Sequence, residues 1–254
     1  MIPADAQIAA QKAGELIRSA RHAVVLTGAG ISTPSGIPDF RSANTGLWTR
    51  DDPMQVASLS AFRYRPEVFF NWLRPLARKM WQAAPNAAHT GLAEMEKAGI
   101  LQAVITQNID GLHQEAGSRN VLEVHGSART AHCKACRKTY PAALFREEFL
   151  AGGIPHCPVC GAILKPDVVL FEEMLPAGVW EEAHRHCRQA DVMLVVGSAL
   201  EVTPAAGLPY TAVESGASLV INTLSSTYLD ERAEILLPYD VVEIVPLIMA
   251  AALG

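Results

Sequence analysis

Runs of consecutive apolar residues recur along this chain: Ala23–Leu26, Ala103–Thr106, Val121–Val124, Val168–Phe171, Val192–Val196 and Leu219–Ile221. A strand whose successive side chains are all apolar has no face to offer to water, so it belongs in a sheet covered on both sides. Helix-like segments stand between most of the runs, among them Pro75–Ala84 and Ala88–Lys97, and the first twenty residues read as an amphipathic helix. Strands alternating with helices predict an α/β architecture with a parallel sheet. The loops after the runs are rich in Gly, Asn, Asp and Ser, and ligands of open parallel sheets bind at those carboxyl ends. Two stretches break the rhythm. Residues 34–74 are rich in proline and aromatic residues without a clear strand, and residues 128–165 carry four paired cysteines. Both are expected to be insertions that build a second lobe over the sheet. The chain has 254 residues, 50% of them hydrophobic, which is enough for one large domain and a smaller one.

A net charge of −5 gives no general attraction to nucleic acid or acidic membranes, so an acidic ligand has to be met by a local site. No apolar run reaches membrane-spanning length and the N-terminus does not read as a signal peptide, so a cytoplasmic protein is expected. Four of the five cysteines form Cys133-Lys-Ala-Cys136 and Cys157-Pro-Val-Cys160, with twenty residues between the pairs. Four thiolates at this spacing close a tetrahedral zinc site with no open position, one zinc per chain, holding a small lobe together. His132 and His156 flank the pairs and are expected to be solvated loop residues. Cys187 is expected to be a core thiol.

The first apolar run leads into GAGISTPSGIPDFRS, residues 28–42. Gly28 and Gly30 permit close approach of backbone to a phosphate. A hydride-transfer fingerprint wants a third glycine at position 33, but here Thr33 is followed by Pro34, Gly36 and Pro38, which prevent a long helix. Such a segment can close over a ligand, with Asp39, Phe40 and Arg41 bringing a carboxylate, a ring and a guanidinium. The next strand ends in TQNIDGLHQEAG, residues 106–117, placing Gln107, Asn108 and Asp110 where a crevice would lie. His125 in EVHG stands in the same kind of place and is the side chain best suited to take a proton near neutral pH. His113 competes for that role but is expected on the helix after Asp110. Two later strands end at Gly197 and Ser198 and at Asn222 and Thr223, groups suited to ribose and phosphate.

Together these pieces resemble the sirtuins, the NAD-dependent protein deacylases. The resemblance runs through GAGIS-x-x-SGIPDFRS, TQNID-x-LH, the HG of EVHG, both CxxC pairs, KPDVVLFEE, GS-x-L-x-V-x-P-A and the IN after the penultimate strand. It implies a Rossmann-like parallel sheet, here residues 1–33, 75–127 and 166–254. Over the sheet it implies a smaller lobe made of a helical and cofactor-loop insertion (34–74) and a zinc-ribbon insertion (128–165). It implies NAD as co-substrate, acetylated-lysine proteins or peptides as partners, and transfer of the acetyl group to ADP-ribose with release of nicotinamide. A monomer is expected, without membrane or nucleic-acid partners. Ala29, Gly30, Ile31, Ser32 and Thr33 then line the phosphate and ribose pocket. Phe40 resembles the ring guarding the reactive ribose face, and Arg41 a phosphate contact. Gln107, Asn108, Ile109 and Asp110 line the ribose and nicotinamide pocket, with Asn108 also assigned to catalysis, and His125 resembles the general base. In the family's mechanism the acyl oxygen attacks the anomeric carbon as nicotinamide leaves, and the histidine helps a ribose hydroxyl attack the resulting imidate. Ser198, Asn222 and Val241 fall where the family contacts the adenosine side. The backbone around Val169, with Phe171 beside it, is expected to pair with the substrate peptide as an added strand.

One position departs from the pattern. Many sirtuins read FGE where this chain has Phe171-Glu172-Glu173. If position 172 needs a positive φ, a glutamate there costs about 1 kcal/mol or more. Its side chain is expected in solvent, the sharper reading being an acidic residue beside the peptide groove that favours basic substrates. The desuccinylating branch carries a Tyr and an Arg three residues apart on the helix of the insertion. In FFNWLRPLARKM, residues 69–80, Arg74 is preceded by Asn71 at that spacing. A neutral acyl group such as acetyl is therefore expected, and an apolar pocket admits longer ones. Mono-ADP-ribosyl transfer by the same fold stands as the alternative. A nicotinamide-dependent oxidoreductase lacks its third glycine and a strand ending in an acidic residue about twenty residues on, since a proline-rich loop precedes Asp51 and Asp52. A non-enzymatic zinc-ribbon module would leave the nucleotide loop and His125 unexplained.

Overall fold

The computed structural model describes residues 2–39 and 46–254. Phe40 and Arg41 lie outside the described residues. The main sheet has six parallel strands: β1 (Ala23–Thr27), β2 (Leu101–Thr106), β3 (Val121–Glu123), β7 (Val192–Val196), β8 (Ser218–Asn222) and β9 (Ile235–Leu237). Their order is β3-β2-β1-β7-β8-β9. All five residues of β1 and of β7 are buried, as continuous apolar strands require. Alternate side chains go to opposite faces. Val25, Val104, Leu194 and Val220 pack on the layer of α1 (Ala4–Ser19), α5 (Ala87–Lys97) and α10 (Val241–Leu253). Leu26, Ile105, Val195 and Ile221 pack on the layer of α8 (Ala177–Gln189) and α9 (Leu208–Glu214). The order reverses between β1 and β7, and the carboxyl end of an open parallel sheet at such a reversal is where a crevice forms.

The second lobe has a helical part and a ribbon. α2 (Pro53–Val56), α3 (Leu59–Tyr64) and α4 (Pro66–Gln82) form the first. An antiparallel sheet of β4 (Gly126–Cys133), β5 (Thr139–Pro141) and β6 (Leu164–Val168), in the order β5-β4-β6, forms the second together with α7 (Arg146–Leu150). A short helix, α6 (Leu112–Glu115), follows β2. The two parts share one apolar core in which Phe62, Phe69, Phe70 and Leu73 meet Phe149 of the ribbon and Leu170. Phe69 and Phe70 meet edge to face at 5.0 Å, and Phe70 meets Phe149 at 6.0 Å.

The structure corrects two elements. Val168–Phe171 is not a strand of the parallel sheet: β6 ends at Val168 and pairs antiparallel with β4, and residues 169–171 leave it as extended chain toward α3. An apolar run alone does not say which sheet it joins. The helix expected over Pro75–Ala84 begins at Pro66, so residues 74 and 75 both lie inside α4. Pro75 sits mid-helix because the face of Phe69, Phe70, Leu73, Leu76, Ala77 and Met80 is buried along its whole length, and that burial outweighs the lost backbone bond. The short edge strand β9 gave no recognisable signal.

Candidate active site

A cavity of about 640 Å³ opens between the sheet's carboxyl end and the second lobe. Its polar wall comes from the loops after β1, β2 and β3: Ser32, Gln107, Asn108, Asp110 and His125. Its apolar wall comes from α4 through Leu73, Leu76 and Met80, and from Ile37 and Val168. The loop after β1 is held by backbone contact. Gly30 N–H donates to the Gly197 carbonyl at 2.9 Å, and Gly28 N–H to that of Val196 at 3.1 Å. Gly197 has φ +63, and a Cβ there would stand 2.3 Å from the nitrogen of Ile31. The crossing therefore needs glycine on its own account, before any ligand arrives.

The polar wall is internally bonded. The Asn108 amide donates to Ser32 Oγ at 3.1 Å, and Ser32 Oγ donates to Asp110 Oδ2 at 2.7 Å. Leu112 N–H donates to the other Asp110 oxygen at 2.9 Å. Burial raises the Asp110 carboxyl above its ordinary value, against those two donors. Behind Ser32 lies the N-terminus of α5, where Asn86 and His89 form a reciprocal cap. Asn86 Nδ2 donates to the Ile31 carbonyl at 2.8 Å and to Ser35 Oγ at 3.0 Å. His89 Nδ1 accepts from Asn86 N–H at 3.3 Å, so Nε2 carries the proton and faces Ser32 Oγ at 3.4 Å. Burial pushes His89 down to about 4, which keeps it neutral.

His125 lies on the same wall. Its Nδ1 meets the carbonyl of Gln107 at 3.0 Å. A carbonyl only accepts, so Nδ1 holds the proton and Nε2 is the basic nitrogen of the neutral ring. Gln107 in turn donates through Nε2 to Ser198 Oγ at 2.9 Å. The His125 carbonyl accepts from Val169 N–H at 2.8 Å. The next residue, Gly126, has φ +75, and a Cβ there would fall 2.0 Å from the Asp167 carbonyl, so the glycine after the histidine allows β4 and β6 to close.

Of the residues singled out from the sequence, Ala29, Ser32, Gln107, Asn108, Ile109, Asp110, His125, Val169 and Phe171 come together on this cavity. Gly28, Gly30 and Gly197 form the crossing behind it. Thr33 is exposed and bonds back to the Gly30 carbonyl at 3.0 Å, and the Asp39 carbonyl accepts from Leu47 N–H at 3.1 Å. Buried Asn222 donates to the carbonyls of Leu237 and Tyr239 at 2.8 and 2.9 Å, tying β8 to the loop that enters α10; Thr223 follows it, and Val241 is the first residue of α10. His113 is on α6, buried and bonded to Thr27 Oγ1 at 2.8 Å, away from the cavity wall. Cys187 is fully buried, its thiol pushed up to about 12 by that burial.

Three residues behave otherwise than their local sequence suggests. Glu172 has φ 73 and is exposed as expected, but its carboxylate also reaches a partner: Oε2 accepts from Ser60 N–H at 2.9 Å. Arg74 is spent on the ribbon, donating to the carbonyls of Phe149 (2.6 Å) and Gly153 (3.1 Å) and to Asn71 Oδ1 (2.6 Å). His132 is half-buried and paired with Asp167 rather than solvated. The amides of Val169, Leu170 and Phe171 are all used within the chain, by the His125 carbonyl, Glu173 Oε2 and the Ala57 carbonyl. The carbonyls of Leu170 and Phe171 are used as well, accepting from Glu173 N–H and Leu59 N–H at 3.0 Å each. The sequence reading missed the Asn86–His89 cap, although Asn three residues before His at a helix start is a local signal for it.

The four paired cysteines converge at the ribbon's end, their sulfurs all within 4.8 Å of one another. Cys133 and Cys160 sulfurs are 3.3 Å apart, and those of Cys136 and Cys157 3.6 Å. These separations suit the edges of a tetrahedron with metal–sulfur bonds of about 2.3 Å. Tyr140 supports the cluster through its hydroxyl, 3.3 Å from the Cys157 sulfur. His156 bonds to the Ile154 carbonyl at 2.6 Å, and neither it nor His132 joins the cluster.

The profile of the Sir2 family matches residues 28–204. An NAD-dependent protein deacetylase 1 of Geobacillus kaustophilus is 46% identical over 218 residues, 86% of this chain and 88% of that one. An NAD-dependent protein deacylase 2 of Archaeoglobus fulgidus is 48% identical over 221 residues, 87% of each. Among solved structures, a Sir2 variant with a deacetylated p53 peptide and 3′-O-acetyl ADP-ribose superposes with a TM-score of 0.89 at 40% identity, covering 94% of this chain and 97% of the other. A Sir2 protein bound to a myristoylated histone peptide gives 0.82 at 39% identity, covering 97% of each.

Proposed function

The chain belongs to the Sir2 family, and from that premise we propose that the cavity joins NAD to an acylated lysine, with His125 as the general base. The reaction is NAD-dependent protein-lysine deacylation. NAD supplies the acyl acceptor when its bond between nicotinamide and ribose is cleaved. Its donor set is present at the sheet's switch point, where Gln107, Asn108, Asp110 and Ser32 offer amides, a hydroxyl and a carboxylate to sugar hydroxyls and a carboxamide. Asn108 is held by Ser32, and Ser32 by His89 and Asp110, which fixes the orientation of the polar wall. His125 carries the reading. Its Nδ1 proton is fixed on the Gln107 carbonyl, which leaves Nε2 to take a proton from a ribose hydroxyl. The four cysteines hold zinc away from the chemistry, as a closed structural site.

The acyl group is neutral. No Lys or Arg is among the described residues lining the cavity, and Arg74 is consumed by carbonyls of the ribbon. The apolar wall of Leu73, Met80 and Val168 also borders a second cavity of about 280 Å³ lined by Phe70, Trp81 and Phe149, which gives a long aliphatic chain room to extend. Among the described residues no helix is long and apolar enough to cross a membrane. Four cysteines gathered for a metal and a fifth buried in the core suit a reducing compartment, which supports the cytoplasm. The test is a panel of acetyl-, myristoyl- and succinyl-lysine peptides with NAD, followed by mass spectrometry. Turnover of the two neutral peptides with little of the succinyl one is expected. Preference for succinyl overturns the acyl assignment, and nicotinamide release without deacylation favours ADP-ribosyl transfer.

A further inference from the structure

Helix α3 starts on four amide donors, two of them met from elsewhere in the chain. Leu59 N–H donates to the Phe171 carbonyl at 3.0 Å, and Ser60 N–H donates to Glu172 Oε2 at 2.9 Å. Ala61 N–H goes to Ser58 Oγ at 3.0 Å and Phe62 N–H to the Ser58 carbonyl at 3.0 Å. Two of the amides that a helix start leaves without partners are thus satisfied by a segment more than a hundred positions away. Phe171 N–H returns a bond to the Ala57 carbonyl at 3.1 Å. Glu172 makes its contact from a left-handed backbone, φ 73, which a side chain with a Cβ adopts only under constraint.

The same short segment reaches two other parts of the site. Val169 is bonded to the backbone of His125. Glu173 pairs with buried Lys165 at 2.7 Å and with Lys134 at 3.2 Å, both in the ribbon. Residues 169–173 therefore pin the general base, the ribbon and the start of the helical lobe together along one edge of the cavity. Phe171, Glu172 and Glu173 all line it, as does Ala57, whose carbonyl is bonded to Phe171 N–H. An unbranched backbone at position 172 would relieve the dihedral but release Ser60.

We propose that Glu172 is a positioning residue for the acylated peptide: its carboxylate locks the start of α3 to the segment beside His125 and so keeps the peptide wall of the cleft formed before substrate arrives. The proposal rests on the deacylase reading above. It separates two effects that one substitution confounds, namely the backbone angle, which glycine relieves, and the cap, which only an acceptor supplies. Three variants of the full-length zinc-loaded protein divide them. Glu172→Gln keeps an acceptor, Glu172→Ala keeps the strain and loses the acceptor, and Glu172→Gly loses both. Steady-state kinetics with NAD and an acetyl-lysine peptide, with each substrate varied in turn, give the KM values. Hydrogen exchange of the Ser60 amide reports the cap directly, without turnover. In the Ala and Gly variants the peptide KM is expected to rise roughly fivefold to tenfold, the scale of one ordinary hydrogen bond lost at an exposed position. KM for NAD and kcat stay within about twofold, the Ser60 amide exchanges faster, and Gln restores both readouts. A peptide KM unchanged in Ala and Gly, or a parallel rise of both KM values, overturns the proposal. Wild-type protein that turns over no acyl-peptide refutes the deacylase reading instead.

Discussion

His89 shows how a residue that touches no substrate is bound up with the site. It closes the cap of α5 on one side and faces Ser32 on the other, and it is fully buried and neutral. Its unfolded-state counterpart takes up a proton near pH 6.5, whereas in the fold burial holds the group down to about 4. The unfolded chain therefore binds more protons between those values, so His89's contribution to stability is complete above pH 6.5 and is lost as pH falls toward 4. Urea unfolding from pH 7 to 4 is expected to show a His89→Gln variant losing less stability over that window than wild type, by up to about 3 kcal/mol. Parallel curves would mean that His89 is not buried neutral. His113, pushed lower still to about 3 by burial and by the neighbouring His89, remains in both proteins, so the difference between the curves contains His89 and its influence on His113. At this scale the polar strand ends were legible: Gln107, Asn108, Asp110 and His125 each follow an apolar run, and topology puts such positions in a crevice. The roles of Glu172 and Arg74 were not, because their partners, Ser60 and the carbonyls of Phe149 and Gly153, are far away in sequence.

Among the elements, the ribbon depends most on something outside the polypeptide. β5 has three residues, and the ribbon's own apolar cluster consists of Ala131, Leu164 and two of the cysteines with a few partly buried neighbours. So small a core does not hold three strands without a cross-link, and structural zinc supplies on the order of 10 kcal/mol in such modules. One zinc per chain is expected by atomic absorption. Removing it with a strong chelator should abolish deacylation, because the ribbon carries β6 and hence the segment joined to His125. The parallel sheet has its own core, so far-UV circular dichroism should retain most of its signal. Full activity in metal-free protein would contradict this. Element by element, the spacing of the cysteines announced the ribbon, since four thiolates at that interval have few other uses. α4 was only half legible. Its proline argued for a start at residue 75, and the buried face that overrides the proline is a property of the lobe it packs against.

Across the whole molecule, one sheet provides the cavity floor and one composite lobe the roof. The order β3-β2-β1-β7-β8-β9 opens the crevice, and the shared core of Phe70 and Phe149 makes the two insertions a single wall. Continuous apolar strands were enough to foresee a parallel sheet buried on both sides. That the insertions share a core was not visible in either alone, because each contributes only part of it. The central claim is that this architecture delivers an acyl group from lysine to ADP-ribose through His125. The most direct measurement is mass spectrometry of a reaction with NAD and acetyl-lysine peptide, run beside His125→Ala. Nicotinamide, free-lysine peptide and O-acetyl-ADP-ribose in equal amounts, with the deacylated peptide and the acetylated sugar nucleotide lost in the variant, is the predicted result. Undiminished deacylation by His125→Ala, or deacylation without the acetylated product, would contradict it.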